Sequence, residues 1–420
     1  MRHNAARAEA RGLNYWPFVE TAPGQGRGLL SKLAARACLV VTDDFPCFIV
    51  PAQTRALARR VDVPVFAVDG NSVVPLSLLG PPVSAAAHLR PRLHRAFAEA
   101  FAHRSAARPR LPQVARRRVE PPFETWKARD AAAFVDGLPL GGTVPAVHGA
   151  VGGTRAARAR LRTFVAKGLR GYAEERSEPR APADGHGSGL SPHLHFGHIS
   201  MEEVVETVLA EADGGGVPRL RPEHRGRRHG FFGDDADVNA FLDQALTWRD
   251  VGLHWHWWRG ADAASLETAL PGWALRTLGA HARDPRAHLY TLEELEAGAT
   301  HDPLWNAAQR ELVATGTIHN CLRMLWGKKV LEWSASPAAA YRALEHLNNK
   351  YALDGRDPNS YTGILWCFGL FDRPWAPERA VFGSVRYMSS DNTARKFDLR
   401  SCHAHVAGLP AIAAVRSDGD

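Results

Sequence analysis

The chain has 420 residues, 45% hydrophobic and 23% charged, an ordinary globular balance with room for two or three domains. No apolar run is long enough to span a bilayer and no charged-then-apolar leader is visible, so the expectation is a cytoplasmic protein with no membrane partner. The net charge of +8 points to nucleic acid or another anionic surface, but nine arginines against one acid, Glu99, between Arg90 and Arg118 account for it. That Ala/Pro-rich stretch reads as a solvated helix and linker rather than a DNA contact.

Residues 1–80 read as α/β. A helical stretch at 27–37 precedes a short strand at Leu39-Val40-Val41, and another at 53–61 precedes Val65-Phe66-Ala67-Val68. Strand, helix, strand at this spacing predicts a parallel sheet, and with only two good strands the domain is a partial Rossmann-like one. Residues 81–125 form a basic connector in which Pro109, Pro112, Pro121 and Pro122 interrupt helix. From 126 to 405 the character is helical, with expected helices at 124–133, 154–175, 200–213, 237–253, 265–278, 291–297, 303–315, 319–333 and 336–352. Asp213 to Gly216 is a break, 217–236 a surface loop, and 406–420 a tail. The fold class is therefore α/β followed by a large all-helical domain.

Five cysteines, Cys38, Cys47, Cys321, Cys367 and Cys402, are too scattered for a disulfide framework or a zinc pattern. His254 and His256 flank Trp255 at a step that suits a strand-borne metal pair, but no ligand cluster accompanies them, and no metal is expected.

Several groupings admit both packing and chemical readings. Trp326 and Trp333 are seven apart, so they share a helix face about 10.5 Å apart along the axis, with Arg323 on the same face. They are core residues or part of an electron-hopping wire. Ser188-Gly189-Leu190-Ser191-Pro192 is a capped helix start or a cradle for an anion. The Asn348–Asn359 stretch packs Asn348, Asn349, Lys350, Asp354, Asp357 and Asn359 into a Gly/Pro turn, either turn chemistry or a ligand loop. Trp366 and Trp375 bracket a turn with Arg373 beside them, an aromatic core or a stacking surface for unpaired bases.

Taken together and in order, these blocks resemble the class II photolyases of the photolyase/cryptochrome family. The resemblance is carried by Tyr172-Ala173-Glu174-Glu175-Arg176, Ser188 to Ser200, Thr247-Trp248-Arg249-Asp250, Thr300 to Gln309, Arg323 to Trp333, Asn348 to Asn359, Asp372 to Trp375 and Val385 to Met388. It implies a helical FAD-binding domain and light-driven opening of cyclobutane pyrimidine dimers in DNA, by a carbon–carbon lyase acting as a monomer. By the resemblance, Tyr172, Ser188, Leu190 and Ser191 hold the FAD phosphates and ribose. Trp305, Asn306 and Gln309 line the same pocket, Arg323 and Asp354 pair beside the flavin ring, and Asn348 sits near flavin N5. Trp326, Trp305 and Trp333 form the proximal, middle and distal members of a photoreduction chain. Trp248, Trp366 and Trp375 wall the flipped dimer, Met324 touches it, and Arg373 contacts phosphate or the gap.

Three departures qualify what is implied. Gln244 stands where many members carry a lesion-binding glutamate, with Asp243 a possible substitute; glutamine supplies a hydrogen bond but neither charge nor proton. Asp250 keeps the usual charge on a shorter arm. The family usually has a further strand and about half a domain ahead of the point where this chain starts, so either the true start lies upstream or the domain is eroded, and an antenna chromophore, whose site that domain builds, is not a firm expectation. Retained Trp248, Met324, Trp366 and Trp375 favour repair over a non-repairing blue-light sensor of cryptochrome type. Gln244 counts toward that sensor or toward a DNA-binding homologue with impaired catalysis.

Overall fold

The structure, a computed structural model, describes residues 2–104, 119–126, 149–212, 220–260 and 265–412, with isolated positions between 134 and 147. Most of the expected 124–133 helix, the break at 213–216, part of the basic stretch and the end of the tail lie outside the described residues.

The chain divides into two compact units. The smaller comprises Met1–Phe45, Ile49–Gly70 and Arg104–Thr143. In it, β1 (Val40–Asp43) and β2 (Val65–Val68) pair in parallel, with Val40 opposite Val65 and Asp43 opposite Val68. The crossover carries the helix Val50–Ala58, as the strand–helix–strand spacing predicts. Val41, Phe66 and Val68 are each more than half exposed, so this sheet is covered on few sides.

The larger unit comprises Pro46–Phe48, Asn71–His103 and Val144–Asp420 and is helical. Its helices start where the sequence places caps. Asp302 accepts hydrogen bonds from the backbone N–H groups of Leu304 and Trp305 ahead of Pro303–Thr315, and Ser336 and Asp357 do the same ahead of Pro337–Tyr351 and Pro358–Cys367. Each has proline at its first position, where the missing N–H costs nothing. Pro303–Thr315 ends at Gly316 in the left-handed conformation.

One expectation is corrected by the helix Ala86–Ala102. The sequence reading makes this part of a solvated connector; here the helix packs into the larger unit and buries Leu89, Leu93, Phe97 and Phe101 on one face. Arg90 and His94 are buried with them, because each finds a partner inside. Arg90 forks onto Asp243 at 2.6 and 3.1 Å. His94 accepts from the Gly226 N–H and stacks on Phe231, with centroids 3.8 Å apart.

The region expected as one helix over 237–253 is three pieces: Ala236–Leu242, a π-helical turn Asp243–Trp248, and Arg249–Arg259. The last piece places His254 and His256 on a helix rather than a strand, so a two-residue step turns them to different sides. His254 bonds the Gly80 carbonyl at 2.7 Å, and His256 lies beside Cys47. Among the described residues there is no group of three or more side chains arranged to hold a metal ion.

Two hydrophobic clusters fill the larger unit. One gathers Phe97, Leu161, Phe164, Val204, Phe241 and Leu242; the other gathers Trp305, Leu322, Trp326, Trp333, Leu344 and Leu365. Among the described residues, no helix is long and apolar enough to cross a membrane.

Candidate functional site

A cavity of about 680 Å³ opens where the two clusters meet, within the usual range for small-molecule sites. Tyr172, Leu190, Met201, Phe241 and Val251 line it from the first cluster, and Trp326, Leu344, Ile364 and Cys367 from the second.

The Ser188–Ser191 segment reaches the cavity on a turn that requires glycine. Gly189 has φ +63°, and a Cβ there would come within 2.7 Å of the Arg160 side chain. Arg160 in turn donates to the carbonyls of Ser188 and Gly187, at 2.6 and 2.7 Å, and fixes the segment from behind. The helix that follows is Ser191–His195, and Ser191 lines the cavity at its start. The Ser191 hydroxyl donates to Asp354 across 163 residues of sequence. The other Asp354 oxygen is 3.6 Å from the Arg323 guanidinium and, though buried, accepts no hydrogen bond.

The Asn348–Asn359 stretch is not a single turn: Asn348 to Tyr351 end the helix Pro337–Tyr351, a turn follows, and Pro358 starts the next helix, at the cavity edge. Asn348 lines the cavity, and its amide donates to Asn349 at 3.2 Å. Asn349 also accepts from the Arg356 N–H and donates to Tyr361. Asp357 caps the next helix and meets His195 at 3.2 Å; its carboxyl stays below the usual range, its burial being outweighed by His195 and the surrounding donors.

Behind Trp326 lies the tryptophan series. Trp305 stacks on Trp326, centroids 6.3 Å apart and planes 6° from parallel, and meets Trp333 edge-on at 5.7 Å. The Trp305 indole N–H donates to the Trp326 carbonyl, and that of Trp326 donates to Gln309. All three rings are buried. Beyond Trp333, the Tyr290 and His301 rings lie at 5.4 and 5.2 Å.

The same cavity takes Gln244, Trp248, Met324 and Trp366 on its wall. Gln244 comes from the π-helical turn, a geometry that often re-aims side chains at functional sites. Asp243, the possible substitute, lines the same cavity and accepts hydrogen bonds from Arg90 at both its oxygens. Asp250 does not line the cavity; its fully buried carboxylate pairs with Ser72 and Arg249.

Six expected site residues do not line the cavity. Trp305 and Gln309 sit one layer back, behind Trp326, and Asn306 is spent on the Thr300 backbone and hydroxyl. They support the wall and do not form it. Trp333 is further back still, while Arg373 and Trp375 lie outside, with the Arg373 guanidinium 5.0 Å over the Trp375 ring. In their place the cavity gains Arg176, Arg228, His229, Arg249, Asn320 and Asn359. Arg176 lies within a quoted block and was open to reading; Arg228 and His229 belong to an Arg/Gly loop without periodicity to mark them.

Comparison with known proteins supplies the context. No family model matches the chain. A deoxyribodipyrimidine photolyase of Methanothermobacter thermautotrophicus is 39% identical over 259 residues, 61% of this chain and 51% of that protein. One from Potorous tridactylus is 38% identical over 264 residues, 63% of this chain and 45% of its own length. One from Arabidopsis thaliana is 34% identical over 307 residues, 70% of this chain and 57% of its own length. The matches thus span about half the length of these curated relatives. Among solved structures, a class III photolyase from Agrobacterium tumefaciens superposes with a TM-score of 0.60 at 20% identity, covering 91% of this chain and 70% of that one. A Synechocystis cryptochrome gives 0.64 at 17% identity, covering 96% and 75%. At such identities these two speak for the fold alone.

Proposed function

We propose that the chain belongs to the photolyase family and is a class II deoxyribodipyrimidine photolyase that repairs cyclobutane pyrimidine dimers with bound FAD and light, a reading supported by its similarity to curated photolyases. The observation that carries this reading is one cavity lined both by Arg323, Asn348 and Asp354 and by Gln244, Trp248, Met324 and Trp366. The first set suits a flavin and the second two linked pyrimidines extruded from one strand. The class II assignment rests on the ordered blocks between Tyr172 and Met388.

The residues present fit FAD. The buried Asp354 oxygen without a hydrogen bond faces a cavity where the N–H of a bound ring would satisfy it. Ser188, Leu190 and Ser191 line the cavity where this segment can meet a phosphate, with Arg160 bracing it from behind. Reduced FAD supplies, on excitation, the electron that opens the cyclobutane ring and later returns. Tyr172, Ser188, Leu190 and Ser191 hold the phosphate and ribose end. Arg323 and Asp354 set charge beside the ring, and Asn348 offers it a neutral amide. Trp326, Trp305 and Trp333 provide a contact-to-contact route for electrons inward.

On the substrate side, Trp248 and Trp366 give aromatic faces to bases that have left the stack, a step cheapest at a damaged site. Met324 packs against them. Gln244 hydrogen-bonds the lesion without adding charge. Arg373 meets the DNA backbone. The small parallel sheet belongs to a Rossmann-like domain.

Purified protein tests the reading. It should show flavin absorption in the near-ultraviolet and blue and bind a thymine-dimer oligonucleotide more tightly than its undamaged copy. A colourless protein with no preference for damage contradicts the proposal; a flavin-loaded one that ignores dimers would be a sensor instead.

A further inference from the structure

Behind Trp366, cations and rings alternate. The Lys328 ammonium is 5.7 Å from the Trp366 ring centroid. The Arg386 guanidinium is 5.8 Å from the same ring and 4.7 Å from that of Trp375, which Arg373 covers on its own account. The row Lys328, Trp366, Arg386, Trp375, Arg373 runs from a fully buried ammonium to an exposed guanidinium.

A lysine with 0% exposure needs a physical reason, because burying a charge is costly unless it is paired. Among the described residues no salt bridge to Lys328 is found. Its ammonium donates to the Cys367 carbonyl at 2.7 Å, the C-terminal end of the helix Pro358–Cys367 that carries Trp366. That end is the negative pole of the helix and favours a cation. The other ionisable groups facing Lys328 are few. The Cys367 thiol is pushed up to about 11 by burial and stays neutral. Asp372, in the following turn, spends one oxygen on the Arg373 N–H and the Trp375 indole; the other is buried without a hydrogen bond. Arg386 adds positive charge from the 383–389 segment. Lys329, next on the same helix, turns to Glu332 at 2.8 Å.

We propose that Lys328 is a positioning residue for the substrate wall, its ammonium pinning Trp366 and the helix end beneath it and setting a positive charge behind the ring that meets anionic, dimer-bearing DNA. The inference rests on the repair reading above. Burial, with the Arg386 charge, pushes the Lys328 ammonium down to about 8, against the opposing pull of Cys367 and Asp372. Anionic DNA favours the charged form. Affinity is therefore full below that range and falls as pH rises through it.

The test is the affinity of the full-length, flavin-loaded protein for a thymine-dimer oligonucleotide, read by fluorescence anisotropy at pH 7 and pH 9. Wild type should weaken roughly three- to tenfold between the two. Lys328→Met should be weak at both, and Lys328→Arg tight at both, with flavin absorption unchanged in each. Wild type without alkaline weakening, or Lys328→Met that retains it, overturns the inference; a purely structural lysine would lower the melting temperature and leave the pH profile in place. Should Lys328→Met fail to fold, wild type against Lys328→Arg decides. Wild type that binds no dimer DNA at either pH defeats the repair reading itself, and this inference with it.

Discussion

Arg90 and Asp243 are 153 residues apart in sequence and joined by two parallel hydrogen bonds of 2.6 and 3.1 Å, both side chains closed off from water. Asp243 opens the π-helical turn that delivers Gln244 and Trp248 to the cavity. Removing one partner strands a buried charge. Arg90→Met should therefore destabilise the larger unit by about 3–5 kcal/mol, read from the denaturant midpoint. Arg90→Lys should recover only part, because an ammonium cannot form the fork.

Trp326 stands between the cavity and Trp305. Trp326→Phe should slow photoreduction of the bound flavin yet spare repair once the flavin is reduced chemically. Loss of both would remove Trp326 from the electron route and make it a packing residue.

On the proposed reading, Gln244 on the cavity wall gives the lesion a hydrogen bond but no charge. Gln244→Ala should weaken dimer binding by about 1 kcal/mol, roughly fivefold, with undamaged DNA unaffected. Equal weakening for both DNAs would assign Gln244 to general backbone contact.

Two buried groups set opposite pH limbs. Burial, with the Arg90 charge, holds His94 down at about 4 against a usual 6.5, so the stability it permits is present above 6.5 and is lost as pH falls toward 4. Glu311 is pushed up by burial from 4.5 to about 7, so its contribution is full below 4.5 and is lost as pH rises through 7. His94→Phe should flatten the acid limb of the unfolding free energy and Glu311→Gln the limb approaching neutrality. Unchanged limbs in both variants would locate the pH dependence elsewhere.

The helices were legible wherever a cap and a periodic face coincide. Asp302-Pro303 and Gly316 bracket a helix whose limits follow from those residues alone. The Ala86–Ala102 helix was less legible, because arginine-rich composition drew attention from the stripe Leu89, Leu93, Phe97 and Phe101, spaced four apart on one face. That stripe is the signal that marks it as core. The fork on Asp243 depends on tertiary approach, which no local pattern encodes. The tryptophans show the same limit: spacing placed Trp326 and Trp333 on one helix, but the insertion of Trp305 between them follows from how two helices pack. The Ser191 bond to Asp354 is likewise long-range and carries no local signal in the sequence.

The most direct measurement is light-dependent repair. Chemically reduced, flavin-loaded protein is mixed with an oligonucleotide carrying one thymine dimer, and the ultraviolet absorbance of the restored bases is followed under blue light and in the dark. The account predicts recovery in the light alone; no recovery from protein that carries reduced flavin and binds the dimer would contradict it.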